Sequence, residues 1–131
     1  MAGPGIRAVA LGKALQAQNE VKVVTTGEFL DFPSDIYIKK SSKREFKQFA
    51  NWADVIVFQG FILTQYPWLK RVKAKLVADL YDPLHLEHLE DTHEQEVRVR
   101  TAEVRETVAA ITEQLRYADF VICASEKQRD F

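Results

Sequence analysis

The sequence predicts an α/β fold, an open parallel sheet with helices on both faces, and three observations carry that reading. Short runs rich in Val, Ile and Ala alternate along the chain with segments of helical spacing. Two of the runs, Ala53-Asp54-Val55-Ile56-Val57-Phe58 and Ala118-Asp119-Phe120-Val121-Ile122-Cys123, read almost alike, and each follows an amphipathic stretch. Neither alternates polar with apolar, which suits strands covered on both faces, as parallel strands are.

In chain order, Ile6 to Gln18 carries Ile6, Val9, Ala10, Ala14 and Leu15 close to helical spacing, so a helix is expected there. Val21 to Thr25 is the first strand expected, and Ile36 to Lys39 a short edge strand. Ser42 with Glu45 three residues on is a capping-box pattern, which predicts a short helix with Phe46 and Phe49 turned inward. The strand Val55–Phe58 follows, then the strand Lys75–Leu80. From Asp91 to Tyr117 the residues Val97, Val104, Val108, Ile111 and Leu115 are spaced as one buried helix face, which leads into the last strand, Phe120–Cys123. Asp54 and Asp119 occupy equivalent helix-to-strand turns, where a carboxylate can accept backbone N–H groups. Alternation of this kind calls for right-handed crossovers. No linker or low-complexity stretch interrupts it, so residues 1–131 read as a single domain or part of one.

Composition excludes several classes. The chain has 131 residues, 47% hydrophobic and 28% charged, which suits one globular domain rather than a disordered segment. The longest uncharged stretch, Val55 to Leu69, contains Gln, Thr and Pro and is too short to cross a bilayer as a helix. No basic segment near Met1 leads into a long apolar run, and the single cysteine, Cys123, has no partner for an internal disulfide. A cytoplasmic location is the expectation. Within its apolar run, Cys123 reads as a buried, inert thiol. Trp52 and Trp68 read as core or sheet-covering residues.

Charge is informative by position. The formal net charge is −1, so bulk electrostatics does not recruit nucleic acid. Between Lys39 and Lys75 nine basic residues face two acidic ones, and between Asp79 and Asp119 eleven acidic residues face four arginines. A basic surface through Lys39, Lys40, Lys43, Arg44 and Lys47 could make a peripheral contact with anionic lipid at the inner face of the membrane, or be an ordinary solvated helix surface.

Three places could carry chemistry. Gly3-x-Gly5-x-x-Ala8 satisfies a loose phosphate-binding pattern, in which glycines admit a diphosphate to a helix N-terminus. Pro4 removes one of the donors, and a tight turn opening a helix explains the same residues. Tyr81-Asp82-Pro83-Leu84-His85 follows a strand, where open α/β sheets place ligands, so Asp82 and His85 could meet substrate hydroxyls or move a proton. Asp82 as N-cap with Pro83 in the first turn is the structural alternative. Gln59-Gly60 and Ser125-Glu126 are the equivalent loops after two other strands, and Ser125 also reads as an ordinary N-cap. His85, Glu87, His88, Glu90 and His93 crowd together, but no Cys or further His elsewhere completes a zinc site, and no metal is expected.

Met1-Ala-Gly-Pro-Gly-Ile-Arg7, the Ala53-Asp54 strand ending at Gln59-Gly60, Leu80-Tyr81-Asp82-Pro83, and Ala124 to Phe131 together resemble the N-terminal domain of bacterial group 1 glycosyltransferases. That is glycosyltransferase family 4, with the GT-B fold of two Rossmann-like domains. The resemblance spans the chain in order. It implies a retaining transferase that moves a sugar from a nucleotide-sugar donor to a sugar or lipid-linked acceptor, with no cofactor and no essential metal. It assigns Gly3, Gly5 and Arg7 to the loop facing the donor diphosphate. Gln59, Gly60, Tyr81, His85, Ser125 and Glu126 then line the acceptor side. Tyr81 stands near where many members carry a histidine, which leaves Asp82 as the catalytic candidate. By the same resemblance the first, central strand and the C-terminal donor-binding domain are missing, the fragment alone is inactive, and self-association could complete the sheet. Two rival readings are a nicotinamide-dependent oxidoreductase domain, resting on Gly3, Gly5 and Ala8, and a non-enzymatic α/β interaction module. No acidic residue ends the Val21–Thr25 strand to hold a ribose, as the first rival requires.

Overall fold

A computed structural model describes residues 3–27, 35–81 and 97–130. It is an α/β structure with two small parallel sheets. The chain divides into two compact units, Met1–Trp52 and Ala53–Phe131.

The first unit holds helix α1 (Gly3–Leu15), strands β1 (Lys22–Thr25) and β2 (Tyr37–Lys40), and helix α2 (Lys43–Trp52). The strands pair in parallel, with Val23 opposite Ile38. Helix α1 lies close against them at Gly12. A Cβ added there would collide with Ile36 Cδ1 and lie 3.1 Å from Val23 Cγ2. The capping box forms as the spacing predicts: Ser42 Oγ accepts from the Glu45 N–H at 3.3 Å, and Glu45 Oε2 accepts from the Ser42 N–H at 3.0 Å. Ala50 is the buried residue of α2, while Phe46 and Phe49 are half-buried. Phe49 tilts against Tyr37 at 6.1 Å between ring centres. Trp52 is not a core residue. It is 44% exposed, and the Lys22 ammonium sits 3.8 Å above its ring, a cation–π contact.

The second unit is built on strands β3 (Val55–Phe58), β4 (Lys75–Leu80) and β5 (Phe120–Cys123), all parallel in the order β3-β4-β5. These bounds match the apolar runs. Helix α3 (Ile62–Gln65) and a 3₁₀ turn (Pro67–Arg71) connect β3 to β4. Helix α4 (Val97–Tyr117) precedes β5, and α5 (Glu126–Asp130) follows it. Among the described strands β4 is the one covered on both faces, with Leu76, Ala78 and Asp79 all buried. The outer strands are not, contrary to the sequence expectation. Val55 and Phe120 are 54% and 71% exposed, each in a strand that pairs on one side among the described residues.

Asp119 performs the turn chemistry expected of it. Its Oδ2 accepts the Leu76 N–H at 2.9 Å and its Oδ1 pairs with Lys75 at 2.6 Å, which together hold the carboxyl below the usual range. At the equivalent turn, the Asp54 backbone carbonyl accepts the Lys75 N–H at 2.8 Å.

Helix α4 buries a different face from the one its valines suggest. Val97, Val108 and Leu115 are exposed, whereas Thr107 and Gln114 are buried, with Val104 and Ile111 half-buried beside them. The reason is an unpaired backbone group. Leu63 is the second residue of α3, where an N–H has no acceptor within the helix, and Phe61 supplies no side-chain cap. Gln114 Oε1 accepts that N–H at 3.2 Å, and this bond fixes the rotation of α4.

Candidate functional site

The C-terminal ends of three neighbouring parallel strands form one edge in the second unit, the place where open α/β sheets receive ligands. Gln59 and Gly60 follow β3, Tyr81 follows β4, and Ser125 and Glu126 follow β5. The fold thus assembles five of the candidate residues there.

Each loop of this edge has a local cause. Gly60 turns the chain with φ of +65°, the sole positive φ among the described residues, where a side chain would be strained. No atom lies within 4 Å of a Cβ built on it, so the requirement is conformational rather than steric. Ser125 is an N-cap whose Oγ accepts the Gln128 N–H at 3.2 Å. Gln128 then ties two strand ends together. Its Nε2 donates to the Leu80 carbonyl at 2.6 Å, and its Oε1 accepts the Ala124 N–H at 2.8 Å. Tyr81 is half-buried, and Glu126 is exposed in the first turn of α5.

Behind this edge lies a group the sequence reading passed over. Asp79, in β4, is 1% exposed, and its Oδ2 accepts from Gln59 Nε2 at 2.8 Å. A carboxylate at such depth persists only where hydrogen bonds replace its water. Asp79 is the sole charged residue in the Leu76–Leu80 run, which was the available signal. For Gln128 the signal was its position three residues after Ser125, the same spacing as Ser42 and Glu45.

The remaining candidates are not among these five. Gly3, Gly5 and Arg7 belong to the first unit, and Gly3 and Gly5 are already helical, in the first turn of α1 rather than in a loop before it. Pro4 permits this, since its fixed φ suits a helix start and its missing N–H would be unpaired there anyway. Arg7 is half-buried and engaged. Asp82 and His85 lie outside the described residues, as do Glu87, His88, Glu90 and His93. Among the described residues no cluster of three His, Cys, Asp or Glu side chains could hold a metal. Cys123 is half-buried and free.

The basic region divides between the two units. Residues 39–47 belong to the first unit and residues 70–75 to the second. Lys39 pairs with Glu45, whose carboxyl is held down to about 2 by that ammonium together with the Ser42 backbone and hydroxyl. Lys70 pairs with Glu113 and Lys75 with Asp119. Lys43, Arg44 and Lys47 are exposed on α2, and Lys40 is exposed at the end of β2. No helix among the described residues is long and apolar enough to cross a membrane.

A shallow groove of about 580 Å³ lies beside α3 and α4, lined by Thr64, Ala109, Ala110, Glu113 and Tyr117 among others. Of its two carboxylates, Glu106 and Glu113, the latter is already committed to Lys70 and Thr64. The groove sits on the half of α4 that leads into the start of β5, away from the strand C-termini. We therefore place the candidate site at the strand ends. No protein-family model, curated protein or solved structure matches the chain.

Proposed function

We propose that this chain is the acceptor-side portion of a retaining glycosyltransferase that uses a nucleotide-sugar donor. One observation carries the reading: an all-parallel sheet whose C-terminal edge gathers Gln59, Gly60, Tyr81, Ser125 and Glu126, the residues that the resemblance assigns to the acceptor side. Ligands of open α/β sheets bind outside that edge. Neutral polar groups dominate it, which suits recognition of hydroxyls more than stabilisation of a large charge. In this reading Asp82 is the catalytic candidate, one residue beyond Tyr81, and Gly3, Gly5 and Arg7 face the donor diphosphate from the start of α1.

Group transfer between two bound substrates depends on holding them together in a closed, water-excluding cleft. In this reading the chain supplies one wall of such a cleft, and the isolated 131 residues are expected to show no useful transferase activity. The test compares this chain with the complete product of the gene that encodes it, using UDP- and GDP-sugars and a panel of glycoside acceptors. The expected result is donor-dependent transfer by the complete product and none by the isolated chain. Turnover by the isolated chain, or tight nicotinamide binding in place of nucleotide-sugar binding, overturns the proposal.

A further inference from the structure

We infer that Asp79 is a positioning residue that locks the Gln59 amide in one orientation, making Gln59 the group that selects hydroxyl-bearing ligands at the strand ends. The inference rests on the strand-end edge being the ligand site and adds what that site discriminates.

A glutamine amide has two faces of opposite character, and a half-turn about its last bond exchanges them. What fixes the choice is the partner. The Asp79 Oδ2 contact at 2.8 Å commits one Nε2–H of Gln59, and the flipped amide would exchange that bond for two carbonyl-type oxygens facing each other. Asp79 is 1% exposed in the central strand β4, so the anchor is held by the sheet itself. Gln59 is partly exposed at the end of β3, and its carbonyl oxygen has no partner among the described residues. The locked amide therefore presents a fixed acceptor, flanked by its remaining N–H. A hydroxyl, which donates and accepts, matches that pair. An ionised phosphate oxygen only accepts, so it can meet the N–H but leaves the Gln59 carbonyl oxygen unmatched. Lys127 and Arg129, exposed in α5 after this edge, are the cations that favour the opposite outcome, so phosphate is the competing probe.

The experiment follows ¹⁵N-labelled chain by NMR during titration with methyl α-glucoside and, separately, with inorganic phosphate. In the unmodified protein the Gln59 side-chain N–H turned to Asp79 is protected from exchange, and the glucoside shifts signals at residues 59–61, 81 and 124–126. Asp79→Asn can donate to the Gln59 carbonyl and release the flip. It is expected to lose the protection and weaken the glucoside response about tenfold while leaving phosphate binding unchanged or stronger. Gln59→Lys, at a partly exposed position, keeps an N–H donor for Asp79 while removing the acceptor, and is expected to abolish the glucoside response. Phosphate moving the strand-end signals more strongly than glucoside, equally in the unmodified protein and in Asp79→Asn, overturns the inference while leaving the strand ends as the binding site. Neither probe moving those signals overturns the strand-end reading and the inference with it.

Discussion

Replacing Gln114 tests whether a buried hydrogen bond, rather than an apolar stripe, sets how α4 packs. Gln114 is 0% exposed. Its Oε1 accepts the Leu63 N–H at 3.2 Å, and its Nε2 donates to the Ala110 carbonyl at 3.1 Å and Thr64 Oγ1 at 3.4 Å. These bonds differ in what their loss costs. Ala110 lies inside α4, where the helix ladder already supplies its carbonyl with a donor, and Thr64 is exposed and also donates to Glu113. Leu63 has no second acceptor in the first turn of α3, and the residue is fully buried. Gln114→Leu keeps most of the volume and strands that N–H, which costs about 1–3 kcal/mol. Gln114→Ala adds a cavity to the same loss, for a total of about 2–5 kcal/mol.

Gln114→Glu separates the bond from the shape. A neutral carboxyl can accept from Leu63 and donate to Ala110, much as the amide does, whereas the ionised form carries a charge into a site without water. Burial raises the folded-state pKa of such a group above its unfolded value of roughly 4.3. The variant is therefore closest to the unmodified protein below that unfolded pKa. It loses stability as pH rises toward the folded-state pKa and stays at a constant deficit above it. Urea unfolding at a series of pH values, followed by circular dichroism, reads the difference between the two proteins. Amide exchange at Leu63 reads the bond itself. A leucine variant as stable as the unmodified protein, unchanged exchange at Leu63, or a glutamate deficit that does not vary with pH would each refute this account of α4.

Three further outcomes follow from local geometry. Ser42→Ala removes both hydroxyl bonds of the α2 capping box and is expected to cost about 1 kcal/mol in urea unfolding, with Ser42→Asp restoring most of it. Gly60→Ala places a side chain at φ of +65° with nothing to collide with, so its cost is conformational, about 1–2 kcal/mol, and Gly60→Asn is expected to cost less. The Glu45 and Asp119 carboxyls both have lowered pKa values, first because of Lys39 and Lys75 respectively, so their contributions are present above the ordinary carboxylate range and fade as pH falls through it. Acid titration of Asp119→Asn and Lys39→Met is expected to give shallower acid limbs than the unmodified protein, because each variant removes one of these linkages.

The strands were legible because each is a short apolar run bounded by charge or turn residues. Val55–Phe58, Lys75–Leu80 and Phe120–Cys123 all appear with the bounds read from the sequence. What the runs did not disclose was which strand would be covered twice, since that depends on neighbours far along the chain. The helices were less legible. Pattern counting in α4 weighted valine and leucine and overlooked Thr107 and Gln114, seven residues apart and therefore on one face. In α1 the paired glycines read as a turn, but a proline between them is as compatible with a helix start.

Location and support were unequally visible at the candidate site. Its location follows from counting one to three residues past each strand, and Gln59, Gly60, Tyr81, Ser125 and Glu126 fall there by topology alone. Its support rests on Asp79, Gln114 and Gln128, polar residues in segments otherwise read for their apolar content or as loops. Each answers a hydrogen-bonding demand elsewhere in the chain: Gln114 serves the Leu63 N–H, Gln128 serves Leu80 and Ala124, and Gln59 serves Asp79 itself. Those demands arise 20 to 51 residues away for three of the four contacts, beyond any local window. Ala124, four residues from Gln128, is the exception, a local contact beside the Ser125 cap that Gln128 completes. A buried polar side chain in an apolar segment therefore marks an unpaired group somewhere in the fold, and here the groups it marks lie in or next to the loops that carry the site.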